Sequence, residues 1–108
     1  MTASHRLTNL TGIPGQRLGD PESLSAVAIA AAASVGMSSY GTPIVKSGPR
    51  GTVVGLLCHG GHVIVHAIPE ESRCLVDILV MAPGNAADRG IEVIARRLGG
   101  KPEKPIPE

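Results

Sequence analysis

The sequence contains no tryptophan, no phenylalanine and a single tyrosine, Tyr40. Stacking platforms for exposed bases are therefore missing. Ten Lys and Arg stand against nine Asp and Glu, a formal net charge of +1, so there is no basic stripe to follow a phosphate backbone. Nucleic-acid binding is disfavoured on both grounds, and the same balance offers a membrane surface no polybasic patch. Long apolar runs are missing too. The longest, Ala26 to Val35, is interrupted by Ser34 and falls far short of the roughly 20 residues that span a bilayer. Met1 to Thr11 is polar and has no apolar segment of the secretory kind. Cysteine is scarce: Cys58 and Cys74 read as reduced thiols of a cytoplasmic protein rather than as a disulfide framework.

What remains is an aliphatic chain. Of 108 residues, 43% are hydrophobic, so a single domain over residues 1–100 must build its core from Val, Ile, Leu and Ala. Such side chains bury less area than aromatics, and at about 25 cal/mol per Å² the core stabilises modestly. Small chains of this kind gain by sharing a face with a second copy, and a homo-oligomer is expected.

Turn and cap residues divide the chain. HRLTNLT at residues 5–11 reads as a short strand before the turn GIPG. Asp20 is a good N-cap, Pro21 suits the first helical position, and Glu22 complements the positive helix end. Leu24, Val27, Ala28, Ala31 and Val35 recur at helical spacing until Gly36. Strand patterns follow at residues 40–46, 52–58, 62–68 and 74–80, separated by SGPRG, HGG and PEES. After Pro83 and Gly84, Ala87, Ile91, Ile94, Ala95 and Leu98 define a second helical face that Gly99 and Gly100 end. KPEKPIPE, residues 101–108, reads as a Pro-rich flexible tail. Strands in hairpin succession between two helices predict an α+β two-layer sandwich: an antiparallel sheet with both helices on one face.

The segment CHGGHVIVHAIPEESRC, residues 58–74, gathers Cys58, His59, His62 and His66 within nine positions. His62 and His66 would share a metal on a helix. On a strand, which the β-branched Val63, Ile64 and Val65 favour, they lie about 13 Å apart. A hairpin metal site from Cys58, His59, His62 and Cys74 is the remaining arrangement of that kind, although no zinc-type spacing is present and no metal is expected. His66 lies within an apolar strand and needs partners for two ring nitrogens, which marks it as a functional candidate. A Ser72, His66, Asp77 arrangement lacks a nucleophile elbow.

HVIVHAIPEESRCLVDILVMA, residues 62–82, resembles the central segment of the prokaryotic S-adenosylmethionine decarboxylases, a pyruvoyl-dependent family. The pattern there is a Ser-His, a strand, a second His, Thr-Trp-Pro-Glu, a hairpin, and an Asp-centred strand ending in Cys-Gly. His62, His66, Pro69, Glu70 and Asp77 stand at matching positions. The likeness extends from HRLTNLTG through the Pro49-Arg50-Gly51 turn to the second helix.

The resemblance implies an α+β sandwich that pairs through its sheets, with sites near the interface. It also implies a decarboxylase of polyamine biosynthesis whose cofactor forms from its own backbone. A serine hydroxyl attacks the preceding carbonyl, the ester eliminates, and the new pyruvoyl end takes the substrate amine as a Schiff base. That serine falls on Gly61 and the glutamate before it on Gly60. The family's proton-donating cysteine falls on Met81, an assisting serine on Val53, an aromatic beside the adenine on Ser47, and the Thr-Trp pair on Ala67 and Ile68.

The chain therefore reads as a non-self-processing homologue without a pyruvoyl cofactor. It would serve as a partner or regulator, in a homodimer or with a related active decarboxylase, or as a binder of an adenosyl or amine small molecule. His62 and Glu70 are the candidate ligand-binding residues, with His66 and Cys58 the candidate catalytic ones. The alternative is an active decarboxylase, of S-adenosylmethionine or an amino acid, with a displaced cofactor-forming residue. Cys58 is its best candidate, because cysteine can undergo the same shift with loss of sulfide, yet it lies three positions from the required site.

Overall fold

A computed structural model describes residues 2–103. In chain order the elements are β1 (Ser4–Thr11), α1 (Pro21–Ser34), β2 (Ile44–Gly48), β3 (Gly51–Cys58), β4 (Gly61–Ile68), β5 (Arg73–Val80), α2 (Ala86–Leu98) and β6 (Lys101–Pro102). Short 3-10 turns occupy Gly15–Leu18 and Pro69–Glu71. The six strands form one sheet in the order β2-β3-β4-β5-β1-β6, and each neighbouring pair is antiparallel.

Alternation along the strands gives the sheet two unlike faces. Val54, Leu56 and Cys58 of β3, Val63, Val65 and Ala67 of β4, and Cys74, Val76, Ile78 and Val80 of β5 are buried on one side. Both helices cover that side: α1 contributes Leu24, Val27, Ala28, Ala31 and Ala32, and α2 contributes Ala87, Gly90, Ile91, Ile94 and Leu98. The expected two-layer α+β sandwich is the observed one. No element among the described residues covers the other face. Among the described residues no helix is long and apolar enough to cross a membrane.

The first helix begins as its sequence directs. The Asp20 carboxylate accepts from the Glu22 backbone N–H at 3.1 Å and from Ser23 Oγ at 2.8 Å, and Pro21 follows with no donor to satisfy. The second helix is capped from a distance. Ser4 Oγ, buried at the start of β1, accepts from the Ala87 backbone N–H at 3.0 Å, and Asn85 makes no side-chain cap. Its C-terminus closes on Gly99 in the left-handed conformation, with the Gly99 N–H on the Ala95 carbonyl at 2.8 Å.

Two expectations change. The strand expected at 40–46 begins at Ile44 and runs to Gly48, because Gly41 to Pro43 bend the chain and Tyr40 instead donates its backbone N–H to the Leu57 carbonyl at 2.8 Å. The tail expected from residue 101 is ordered at its start. Lys101 and Pro102 pair with Thr11 and Leu10, and the Glu103 N–H reaches the Asn9 carbonyl at 2.8 Å. Residues 104–108 lie outside the described residues.

Candidate functional site

The β3–β4 hairpin turns through His59 and Gly60, with φ of 81° at Gly60 and 156° at Gly61. A Cβ built on Gly61 would stand 1.9 Å from the Leu79 carbonyl oxygen, 2.8 Å from the Leu79 carbonyl carbon and 2.9 Å from Met37 Sδ. The backbone at position 61 is therefore packed against β5 so closely that only glycine fits. Gly60 is less constrained by its surroundings, with the nearest atom to its missing Cβ, Met81 Cβ, at 3.8 Å. The Met81 N–H donates to the Gly60 carbonyl at 2.9 Å, which sets Met81 directly beside the turn. Tyr40 stacks on His59 there, with ring centroids 3.8 Å apart and tilted by 34°.

Cys58 is near this turn in sequence but faces the helices. Its thiol donates to the Leu56 carbonyl at 3.7 Å, and burial pushes its pKa upward, away from the thiolate that a nucleophile needs. Cys74 is buried on the same side, where desolvation raises its thiol to about 12 against a smaller lowering by a backbone hydrogen bond at His66. The two thiols are free and belong to opposite ends of the sheet: Cys58 pairs with Gly61, and Cys74 with Ala67. The hairpin metal arrangement is thereby undone, since His62 projects from the other face. Among the described residues no group of three or more His, Cys, Asp or Glu is placed to hold a metal ion.

His62 is engaged by a neighbour on the open face. Its Nε2 lies 3.2 Å from Asp77 Oδ1, and the same oxygen receives His5 Nε2 at 2.8 Å. His5 drew no attention in the sequence because it lies 57 positions from His62. Only the placement of β1 and β4 on either side of β5 unites them.

His66 and Glu70 line a different space. A cleft of about 730 Å³ opens at the far end of the sheet, between the β2–β3 turn and the Pro69–Glu71 turn. Its polar lining comes from Arg50, Thr52, His66, Glu70, Glu71 and Arg73. His66 Nε2 is 2.8 Å from the Arg50 carbonyl oxygen, an acceptor only, so Nε2 carries the hydrogen and, in the neutral ring, Nδ1 is left as an acceptor. Glu71 holds the Arg73 guanidinium at 2.7 Å, so each sign of charge is present and one pair is already matched. Among the described residues no Phe, Tyr or Trp lines the cleft, and Ile68, where the resemblance implies a tryptophan, gives it aliphatic surface.

The candidate residues thus fall into three places. Cys58 is in the core, His62 is on the open face, and His66 with Glu70 is in the cleft. Gly61 and Met81 mark the opposite end of the sheet, with Gly61 five residues from His66, about 16 Å along β4.

The family model for S-adenosylmethionine decarboxylase matches residues 4–104, nearly all of the chain. The chain belongs to the S-adenosylmethionine decarboxylase family. Among solved structures, the adenosylmethionine decarboxylase of Aquifex aeolicus VF5 shares the fold with a TM-score of 0.79 over 92% of this chain and 82% of that one, at 18% sequence identity. No curated protein sequence matches. Sequence reasoning reached the family through His66, Pro69 and Glu70. It missed His5, Arg50 and Arg73, which carry no local motif and gain their places only through strand order and turn geometry.

Proposed function

We propose that this protein is a non-self-processing S-adenosylmethionine decarboxylase-like protein, one that keeps a ligand cleft and a pairing face and works as a small-molecule-binding partner rather than a pyruvoyl enzyme. The observation that carries this reading is the environment of Gly61. A pyruvoyl group made from the chain needs a side-chain hydroxyl there. Glycine has none, and a Cβ in this backbone would sit 1.9 Å from the Leu79 oxygen. The residues present do not fit that cofactor. A displaced cofactor-forming residue gains no support from Cys58, whose thiol points into the core with its pKa raised. The proton-donor position is Met81, whose thioether has no proton to give.

The cleft beside His66 is the ligand site of this proposal. Glu70 and Glu71 provide acceptors for an amine or for ribose hydroxyls, and His66 Nδ1 provides one more, which suits an adenosyl or amine compound. The open sheet face is the pairing surface. Leu7, Ile44 and Leu57 lie on it and are 63%, 54% and 57% exposed, while Tyr40 and Met81 stand exposed at its glycine end. Ile29 is the remaining exposed large hydrophobic among the described residues. Four strands of eight residues and one of five offer about 600 Å² per copy, or about 1,200 Å² for two copies, the lower end of stable interfaces. A second copy of this chain is the occupant proposed, in a cytoplasm that suits two unpaired thiols.

The intact mass of the purified protein tests the reading. A single uncleaved chain of 11.0 kDa is expected. Two fragments, one ending in a borohydride-reducible carbonyl, would overturn it. Titration calorimetry with S-adenosylmethionine and with decarboxylated or simple amines then reads the cleft, with loss of binding on His66→Ala expected.

A further inference from the structure

Two turns face each other across the cleft, and each is fixed by the fold. The β2–β3 turn carries Arg50. It lies so tightly on β4 that a Cβ built on Gly51, where φ is 101°, would collide with the Ala67 carbonyl oxygen. His66 holds the same turn through the Arg50 carbonyl at 2.8 Å. The Pro69–Glu71 turn carries Glu70. It closes with the Ser72 N–H on the Pro69 carbonyl at 3.1 Å, and the Ile13 N–H on the Ser72 carbonyl at 3.0 Å ties it to the chain after β1.

The charges on these two walls differ in sign and lack partners. Glu71 and Arg73 are paired at 2.7 Å, whereas among the described residues neither Arg50 nor Glu70 takes part in an ion pair. The cleft thus keeps one unmatched cation on one wall and one unmatched anion on the other. Between them Ile68 and Leu75 line it with aliphatic surface. Tyr40, the single Phe, Tyr or Trp of the chain, stacks on His59 at the opposite end of the sheet, so a purine in the cleft would have only the His66 imidazole to lie against.

The geometry points to an aliphatic zwitterion as the ligand of this cleft, a carboxylate and an amine at opposite ends of a short methylene chain, an inference that rests on the ligand cleft proposed above. The Arg50 guanidinium takes the carboxylate through two parallel N–H donors, Glu70 takes the ammonium, and the methylenes lie on Ile68 and Leu75. A compound with a single charge leaves the other wall unmatched. An adenosyl compound brings a flat base to a cleft that gives it little to stack on.

Titration calorimetry of the full chain at neutral pH and one ionic strength tests the inference. The probes are γ-aminobutyrate, δ-aminovalerate and ε-aminocaproate, with caproate and hexylamine as single-charge controls and S-adenosylmethionine and adenosine as nucleosides. The tightest ω-amino acid is expected to bind about three- to tenfold more tightly than either control, and more tightly than either nucleoside, the exposure of Arg50 and Glu70 holding the gain to that range. Arg50→Gln should lower its affinity to that of hexylamine, and Glu70→Gln to that of caproate, with circular dichroism to monitor the fold. If a variant fails to fold, the ranking of the probes on the wild type decides alone. A control that binds as well as the ω-amino acid, or a variant that binds it as the wild type does, overturns the zwitterion. Tighter binding of S-adenosylmethionine or adenosine also overturns it, and leaves the adenosyl reading of the cleft standing. Binding of no probe overturns the ligand cleft itself and leaves the uncleaved chain standing.

Discussion

Substituting Gly61 asks whether the lost serine can simply be put back. In the present backbone a Cβ would approach the Leu79 oxygen to 1.9 Å, where an ordinary carbon–oxygen contact is at least 3.0 Å. The β4–β5 ladder must therefore open by more than an ångström at the Gly61–Val80 pair, with Met37 Sδ also displaced. Losing one or two terminal ladder hydrogen bonds at about 1 kcal/mol each, together with local backbone strain of about 1 to 2 kcal/mol, gives a destabilisation of about 2 to 4 kcal/mol. Gly61→Ala isolates the Cβ, and Gly61→Ser adds the hydroxyl. Both should lower the urea midpoint alike, whereas Gly60→Ala, whose Cβ meets only Met81 at 3.8 Å, should cost about 1 kcal/mol for its positive φ. The pair Gly60→Glu, Gly61→Ser should remain one chain by mass and show no release of carbon dioxide from S-adenosylmethionine. Gly61→Ala within 0.5 kcal/mol of wild type would refute the steric argument, and decarboxylation by the serine variant would refute the role given to Met81.

Three further outcomes are expected. Ser4→Ala removes the oxygen that caps α2 and leaves the buried Ala87 N–H unpaired, which should cost about 1 to 2 kcal/mol in chemical denaturation. Cys74 is held protonated in the fold, with its pKa raised from 9.0 to about 12. Its contribution is fully present below pH 9 and is lost as pH rises toward 12. Stability should fall there by up to about 1.4 kcal/mol per pH unit from this one group, and Cys74→Ala should remove that slope. In the cleft, Glu70→Gln should weaken an amine ligand about tenfold or less, because Glu70 is exposed, and calorimetry reads the change directly.

The fold was legible wherever local chemistry decides it. Asp20 and Pro21 mark the start of α1, Gly99 marks the end of α2, and the β-branched run at Val63 to Val65 makes the strand that separates His62 from His66. Elements settled by distant partners were not legible. Lys101 and Pro102 have poor strand character and become a strand because the edge of β1 receives them. Tyr40 looked like the start of a strand by composition, yet its backbone bonds hold it against the end of β3. The site divides in the same way. His66 and Glu70 are four positions apart and carry a recognisable pattern, and the structure puts both in one cleft. His5 and Asp77 are 72 positions apart, and no periodicity links them. The steric reason for Gly61 was likewise out of reach, because it resides in the Leu79 carbonyl on another strand.

The position of β1 has a consequence for how the chain is made. It is the first strand to leave the ribosome, but its partners are β5, beginning at Arg73, and β6, at Lys101. The meander from β2 to β5 joins sequence neighbours and can assemble early, while β1 must wait unpaired until most of the chain has emerged, then enter between two late strands. Closing so long a loop is slow relative to forming local hairpins. The nascent protein therefore exposes the open β5 edge, with its run of Leu, Val and Ile, for the longest interval. Aggregation during synthesis should begin at that edge, and truncations that remove β1 should accumulate as insoluble chains while still forming the central hairpins.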